Sequence, residues 1–454
     1  MAATPEPGAS VSPARLSFAD TLAVYLKRRV LIVLFLGFSS GLPLALSGST
    51  LLVWMTEAGV NLGTIGLFAL VGTPYTIKFL WAPLIDALDV PLLSRRFGRR
   101  RGWLLLSQFL LIGAIVFLGL CDPSVSPFLV AVGALLVATA SATQDIIIDA
   151  FRVESLDESE QAAGMASYVA AYRIGMLVST AGALFLVSGF ESVFGYDRHA
   201  AWSAGYAIMA GLVVIGIATT LVADEPVKSA GADAVHAHEN KLQRVIEAAI
   251  GAFSEFLTRD LAFAALAFVV LFKFTDALSG AMTAPFVIDL GFSRNEYATI
   301  IKGVGLAATL IGGFAGGFMA RAFSLPASLW LGGILQGIAN LAFSWQAVVG
   351  HDTAWLTFAI VAENFTSAIG TVIFVAYLSA LCRNPLHTAT QYALLTALAA
   401  FGRTYLSSSA GFIAAATGWP WFFAICAVSG TPALLLLAWL QYGGHFTGLA
   451  PVKK

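Results

Sequence analysis

Charge is what this chain has least of. Only 11% of its 454 residues are Asp, Glu, Lys or Arg, against 58% hydrophobic ones, and the mean hydropathy is +0.83. A soluble domain carries roughly a quarter charged residues to keep its surface wetted, so a water-soluble fold is excluded and most of the surface must meet lipid. The charges present nearly cancel, at a formal net of −1, which excludes the basic footprint of a nucleic-acid binder. Cysteine is scarce too. Cys121, Cys382 and Cys426 stand far apart, inside or at the ends of apolar segments, with neither a disulfide framework nor zinc-site spacing. None of the six histidines falls in the middle of an apolar stretch, which argues against haem or metal chemistry within a membrane and gives no cofactor to expect. No Walker-type glycine loop is present, so nothing points to a nucleotide. The opening MAATPEPGASVSPA lacks the charged start, apolar core and cleavage site of a signal peptide and reads as a loose tail.

What the chain does have is long apolar runs. A helix needs about 20 mostly apolar residues to cross the hydrocarbon core. Twelve stretches qualify: 29–56, 62–88, 102–121, 126–151, 162–190, 200–223, 261–289, 296–320, 326–348, 354–381, 387–416 and 418–440. The connections are short except 224–258, which divides the chain into an N-terminal half, 29–223, and a C-terminal half, 259–442, with tails at 1–28 and 443–454. The expected fold is an all-α membrane protein of twelve transmembrane helices in two six-helix halves. In the long connection, HENKLQRVIEAAIGAFSEFLTRD places its apolar residues at helical spacing with Lys241, Arg244, Glu247 and Glu255 mainly opposite, as in a helix lying flat in the interface. Eighteen lysines and arginines flank the helix ends on the side of the two termini, and only Arg198 and Arg294 flank the other. That asymmetry places both termini in the cytoplasm.

Five basic residues, Lys78, Arg173, Lys273, Lys302 and Arg403, and four acidic ones, Asp145, Asp149, Asp276 and Glu363, fall inside the spans. Each costs roughly 2.5–3.5 kcal/mol in hydrocarbon unless it faces a cavity or a partner. They occupy spans 2, 4, 5, 7, 8, 10 and 11 and leave 3, 6, 9 and 12 clear, a three-helix period. Span 5 reads YRIGMLVSTAG and span 11 reads FGRTYLSSSAG, so each sets an arginine before a small-residue stretch, as internal repeats require. Asp145 and Asp149 stand one turn apart, and two like charges there suit a carboxylate that binds and releases a proton. Ion pairs of Lys78 with Asp145 and of Arg152 with Asp149 are the purely structural alternatives. Lys273 and Asp276, at i and i+3, either neutralise each other or meet substrate. Glu363, beside Asn364, has no basic neighbour within a turn. Arg173 and Arg403 offer the two-pronged match that carboxylates need. Lys302, a turn or two from the surface, steers substrate or snorkels outward. The small-residue runs GALLVATASA and GGFAGGFMA read as helix-packing surfaces.

Several strings carry a family likeness. LGFSSGLPLALSGSTLLVWM, YTIKFLWAPLIDAL, FGRRRGWLLLSQ, SATQDIIIDAFRVE and AYRIGMLVS, then LFKFTDALSGAMT, VAENFTSAIGTVIFVAYLSALC and TQYALLTALAAFGRTY, follow one another over about residues 25–440. Together they resemble the AmpG-type muropeptide permeases of the major facilitator superfamily. The resemblance implies peripheral helices 3, 6, 9 and 12, which matches the charge-free set. It also implies a proton-driven importer of N-acetylglucosaminyl-1,6-anhydro-N-acetylmuramyl peptides, serving cell-wall recycling and β-lactamase induction from the bacterial inner membrane as a monomer. Its partners would be protons, membrane lipid and an anionic glycopeptide. The acetyl-CoA transporter branch, or another organic-anion carrier, is the alternative. On this reading Asp145, Asp149 and Glu363 carry protons. Lys78, Gln144, Tyr172, Arg173, Lys273, Asp276, Asn364 and Arg403 meet substrate. A cytoplasmic latch uses Asp86 as its acid, Gly98 as its turn, and Arg99 and Arg100; a plain cluster binding lipid headgroups is the alternative there. A channel would need rings of one charge, and an enzyme a clustered nucleophile, base or metal set. The sequence has neither.

Overall fold

The computed structural model describes residues 23–157, 160–226, 261–381, 388–447 and 449. The expected interfacial helix of the long connection lies outside the described residues, as do most of both tails. Eleven helices among the described residues are long and apolar enough to cross a membrane. They are α1 (Arg28–Glu57), α2 (Leu62–Leu80), α3 (Arg99–Leu120), α4 (Pro127–Ser155), α5 (Ala163–Phe194), α6 (Arg198–Val222), α7 (Ala262–Asp289), α8 (Arg294–Ala320), α9 (Leu325–Val349), α10 (Thr353–Leu381) and, last in the chain, α12 (Trp419–Tyr442). Between the last two, Thr388–Leu406, Ser407–Ser409 and Ala410–Thr417 follow without a break and form α11. The expected bounds fall close to these, with α2 the exception. Its stretch is a string of short pieces, with 3₁₀ turns at Phe68–Gly72 and Lys78–Leu80. Pro74 and Pro83 lack the amide that a continuous helix needs and sit in the first turn of the next piece.

Other spans are interrupted as well. In α1, Pro43 removes a donor and Ser47–Gly48 leave the helix before Ser49–Glu57 resumes it. In α7 the break falls at Lys273, between Ala262–Phe272 and Phe274–Asp289. In α5 and α8 the helix widens to π-turns at Val178–Gly182 and Ala298–Val304. A carbonyl or hydroxyl freed inside lipid must be satisfied by protein, and here it is. The Tyr206 hydroxyl donates to the Leu46 carbonyl at 2.8 Å, and Thr50 Oγ1 donates to the Ser179 carbonyl at 2.8 Å.

The run GGFAGGFMA is a packing surface, as expected. A Cβ on Gly316 of α8 would lie 3.0 Å from the Ile369 backbone of α10. The first and last six helices meet on the side away from the termini. There α2 and α11 cross with their backbones in contact: a Cβ on Gly66 would lie 2.7 Å from the Gly411 amide, and one on Gly411 would overlap the Leu62 carbonyl.

A buried ion cluster clamps the same side. Ser293 and Glu296 form a reciprocal capping box that fixes the start of α8 and sets Arg294 in its first turn. Arg294 is only 7% exposed. Its Nη1 and Nη2 donate to Glu191 at the end of α5 at 2.6 and 3.0 Å, and its Nε lies 2.6 Å from Glu57 at the end of α1. The guanidinium also stands 5.4 Å over Trp202, whose indole N–H donates to Glu57 at 3.1 Å. Reading Arg294 as a loop cation on the far side is therefore corrected: it is a buried bridge from the second set of helices to the first. On the termini side, the ion pairs among the described residues, Lys27–Glu160, Arg28–Asp224, Arg29–Asp157 and Arg100–Glu154, all stay within the first six helices.

Removing one partner of a buried ion pair costs roughly 3–5 kcal/mol. Arg294→Gln should therefore loosen the Arg294 side and favour opening there. The check is Ser49→Cys in a background without Cys121, Cys382 and Cys426, probed from the Arg294 side with a membrane-impermeant maleimide. Labelling should rise by about tenfold or more; an unchanged rate would show that the cluster does not hold that side closed.

Candidate functional site

Two cavities lie between the two sets of helices, and they open where the helices break. The larger, about 510 Å³, is lined by Ser47–Ser49 of α1, the 3₁₀ turn of α2, Lys273 and Asp276 of α7, Glu363 of α10 and Arg403 of α11. The smaller, about 310 Å³, is lined by Arg173 of α5, Lys302 and Thr309 of α8, and Glu363 and Asn364 of α10. Ser49, Leu52, Gly280 and Glu363 border both. Irregular backbone within a membrane is tolerated where it lines a cavity, and transporter sites are built this way from discontinuous helices.

The larger cavity holds a tight ion pair. Lys273, standing at the break in α7, pairs with Asp276, which answers the open question of whether they neutralise each other. Lys273 also donates to Thr371 at 3.1 Å, and Ser367 donates to Asp276 at 2.7 Å, so α10 fastens the pair from the opposite wall. The second carboxylate oxygen of Asp276 is buried without a hydrogen-bond partner. Among the described residues the Glu363 carboxylate accepts from the neighbouring Asn364 amide alone, at 2.9 Å, and Asn364 in turn accepts from Thr309 of α8 at 3.2 Å. Lys302 sits in the π-turn of α8, 5.6 Å over the Tyr297 ring, and reaches Ser49 across the interface at 3.3 Å. Of the expected set, the cavities thus gather Arg173, Lys273, Asp276, Glu363, Asn364 and Arg403.

A second polar group forms apart from them. Asp145 of α4 is buried and accepts from Ser40 of α1 at 2.5 Å, while Ser40 and Tyr168 of α5 are 2.9 Å apart. Asp149, one turn on, is exposed. No ion pair joins Lys78 to either carboxylate among the described residues, so the Lys78–Asp145 pairing is absent from this conformation. Gln144 is fully buried, and neither its amide oxygen nor its nitrogen has a partner. Tyr172 packs beside Tyr168 with ring centroids 6.1 Å apart. Lys78, Gln144, Tyr172, Asp145 and Asp149 line neither of the two cavities.

The expected latch has its turn at Gly98, and a carboxylate, Glu225, is seated beside it. Gly98 holds φ +93°, and a Cβ there would overlap the Glu225 side chain. Glu225, beyond α6, accepts from the Arg100 and Arg101 amides at 2.8 and 3.1 Å, a carboxylate seated on a helix N-terminus. Arg100 donates to Glu154 of α4 at 3.0 and 2.5 Å, and Arg99 starts α3. The Asp86 side chain lies outside the described residues. Nearby, the Lys27 ammonium donates to Glu160 at 2.8 Å and holds that carboxyl below its ordinary range. Sequence reasoning missed Glu57, Glu191, Glu154 and Glu225 because each stands at a helix end, where charge is unremarkable. The one readable signal was the S-x-x-E pattern at Ser293–Glu296, which sets Arg294 inside a helix rather than in a loop.

Comparison with known proteins fits this architecture. The Major Facilitator Superfamily model matches residues 33–403. The anhydromuropeptide permease of Escherichia coli (strain K12) is 38% identical over 418 residues, covering 92% of this chain and 80% of the relative. The putative transporter AmpG 4 of Rickettsia felis is 34% identical, covering 91% of this chain and 96% of the relative. Among solved structures, the D-xylose-proton symporter superposes with a TM-score of 0.64 at 13% identity over 91% of this chain and 97% of that one. A POT family transporter in complex with a thioalcohol-conjugated peptide gives 0.66 at 12% identity over 91% and 96%; at such identities the likeness concerns the fold alone. This multi-pass membrane protein belongs to the Major Facilitator Superfamily and, within it, to the AmpG-type anhydromuropeptide permeases.

Proposed function

We propose that this chain imports anhydromuropeptides, cell-wall turnover fragments, from the periplasm to the cytosol of a bacterial cell, driven by the proton gradient across the inner membrane. The observation that carries the reading is the pair of cavities between the two helix sets, which gather Arg173, Lys273, Asp276, Lys302, Glu363 and Arg403 in an otherwise apolar interior. Such a lining suits a large polar substrate bearing carboxylates, and the relatives named as permeases support transport over catalysis. The site lies within one chain, which supports a monomeric unit. The lysine and arginine asymmetry puts both termini in the cytoplasm, so the Arg294 cluster closes the periplasmic mouth and the conformation described is the inward-facing one.

Proton coupling rests on two carboxylates. Asp145 is buried with the Ser40 hydroxyl for its donor, and it has no ion pair among the described residues. Glu363 borders both cavities and likewise has only a neutral donor, Asn364. A charge inside a span is costly unless a partner or a cavity takes it up, so both positions suit a carboxylate that binds and releases a proton. Protonation at Asp145 would change its contact with Ser40 of α1, and protonation at Glu363 would remove a charge from the wall that the two cavities share.

Three measurements test the reading. Labelled anhydromuropeptide should accumulate in cells lacking their own permease, and a protonophore at constant ATP should abolish the accumulation; uptake that persists excludes proton drive. Arg173→Lys keeps charge but loses the two-pronged grip, so kcat/KM should fall about tenfold, and normal uptake at normal expression would remove that arginine from the site. Asp145→Asn retains an oxygen acceptor for Ser40 and mimics the protonated state. Concentrative uptake should fail while substrate exchange across the membrane continues. Undiminished accumulation would move coupling to Glu363 or Asp149.

A further inference from the structure

We propose that the substrate site is bipartite by charge: the smaller cavity, with Arg173 and Lys302, takes the carboxylates of the stem peptide, and the larger takes the uncharged sugars. The inference rests on the muropeptide reading above and makes Lys302 the residue that sets preference for a carboxylate-bearing peptide.

The two cavities differ in what their cations already hold. In the larger one, Lys273 is neutralised by Asp276, and Arg403 faces a compartment that also contains Glu363. The rest of its polar lining is hydroxyl, including Ser367, Thr371, Thr404 and Ser407. Tyr75 borders it and adds an aromatic ring. Neutral donors and acceptors with an aromatic ring are what a sugar's hydroxyls and ring faces require.

In the smaller cavity neither cation is spent on a carboxylate. Arg173 has no ion pair or hydrogen bond among the described residues, and Lys302 reaches only the neutral Ser49 hydroxyl, at 3.3 Å. Glu363 is the one acid on its wall, shared with the other cavity and occupied by Asn364. Two cations against one shared carboxylate leave an excess of positive charge in a cavity walled by Leu52, Met176, Ile301 and Ile360. With low-dielectric walls that excess is felt strongly. The π-turn Ala298–Val304 holds Lys302 at this wall, and such turns are kept mainly at functional sites. In the proposed substrate the disaccharide is neutral once its lactyl group is amide-linked, so the negative charge resides in the peptide. The shared border of Ser49, Leu52, Gly280 and Glu363 is where the lactyl link would cross.

The test uses the full chain in proteoliposomes under an imposed proton gradient. Uptake of an anhydromuropeptide with free peptide carboxylates is compared with uptake of the same molecule with those carboxylates amidated. The wild-type chain should prefer the free form. Lys302→Gln should reduce that preference about tenfold, the loss of one charge-assisted hydrogen bond, and Lys302→Arg should keep it. Thr404→Val, in the larger cavity, should lower uptake of both forms and leave their ratio unchanged. Equal treatment of the two forms by the wild type, or a Lys302→Gln variant that lowers both in the same proportion, overturns the bipartite site. A wild-type chain that takes up neither form refutes the muropeptide reading itself.

Discussion

A polar group inside this chain has no water to turn to, and that constraint organises the structure. In a sequence with so few charges, each one within a span is there at the expense of several kcal/mol unless the protein encloses it. The molecule encloses them in two ways. Where the halves must stay together, the charges are matched and buried, as Arg294 is between Glu57 and Glu191. Elsewhere, at the walls of the two cavities, Arg173, Arg403 and Lys302 have no ion pair among the described residues. Lys273 and Asp276 are intermediate: paired with each other, yet with one Asp276 oxygen unsatisfied.

The same constraint explains how much of this was legible in the sequence. Spans and charge-free helices are one-dimensional signals, because lipid forces an apolar run of fixed length; eleven of the twelve expected spans recur as long apolar helices among the described residues, and α2 departs in its bounds. The membership of the cavities was partly legible, since a charge in mid-span has to face inward; Arg173, Lys273, Asp276, Glu363 and Arg403 were found in that way. Depth, however, does not tell which inward surface a side chain meets. Lys78 and Asp145 stand at similar depth and still form no pair, and Asp145 binds Ser40 of α1 instead. Charges at helix ends carried no signal at all. Arg294 looks like any loop cation until the capping box at Ser293 shows that the helix has already begun.

The helix breaks were invisible for a related reason. Pro43 and Gly48 mark the one in α1 and Pro74 one in α2, but Lys273 interrupts α7 with no proline or glycine beside it, and the π-turns of α5 and α8 leave no compositional trace. Two of them are met by a partner on another helix, Tyr206 for α1 and Thr50 for α5. They are therefore tertiary facts, decided by what lies across the interface and not by the local string.

Two of these contacts lie on one pair of helices and bear on how the protein moves. Ser49 meets Lys302, and Glu57 meets Arg294. The pairs are eight residues apart on α1 (57 − 49) and eight on α8 (302 − 294), so the antiparallel helices are joined by two rungs roughly 12 Å apart. The outer rung is a buried ion cluster and the inner one a single long hydrogen bond to a neutral hydroxyl. A carboxylate arriving at Lys302 outcompetes that hydroxyl, because an ionised acceptor makes the stronger hydrogen bond. On the proposed reading of the smaller cavity, it would free the inner rung without touching the outer, and release would restore it. Occupancy of the cavity and closure of the mouth are thus read by the same two helices. That is the arrangement a carrier needs if the halves are to rock with cargo aboard and stay sealed on one side while they do.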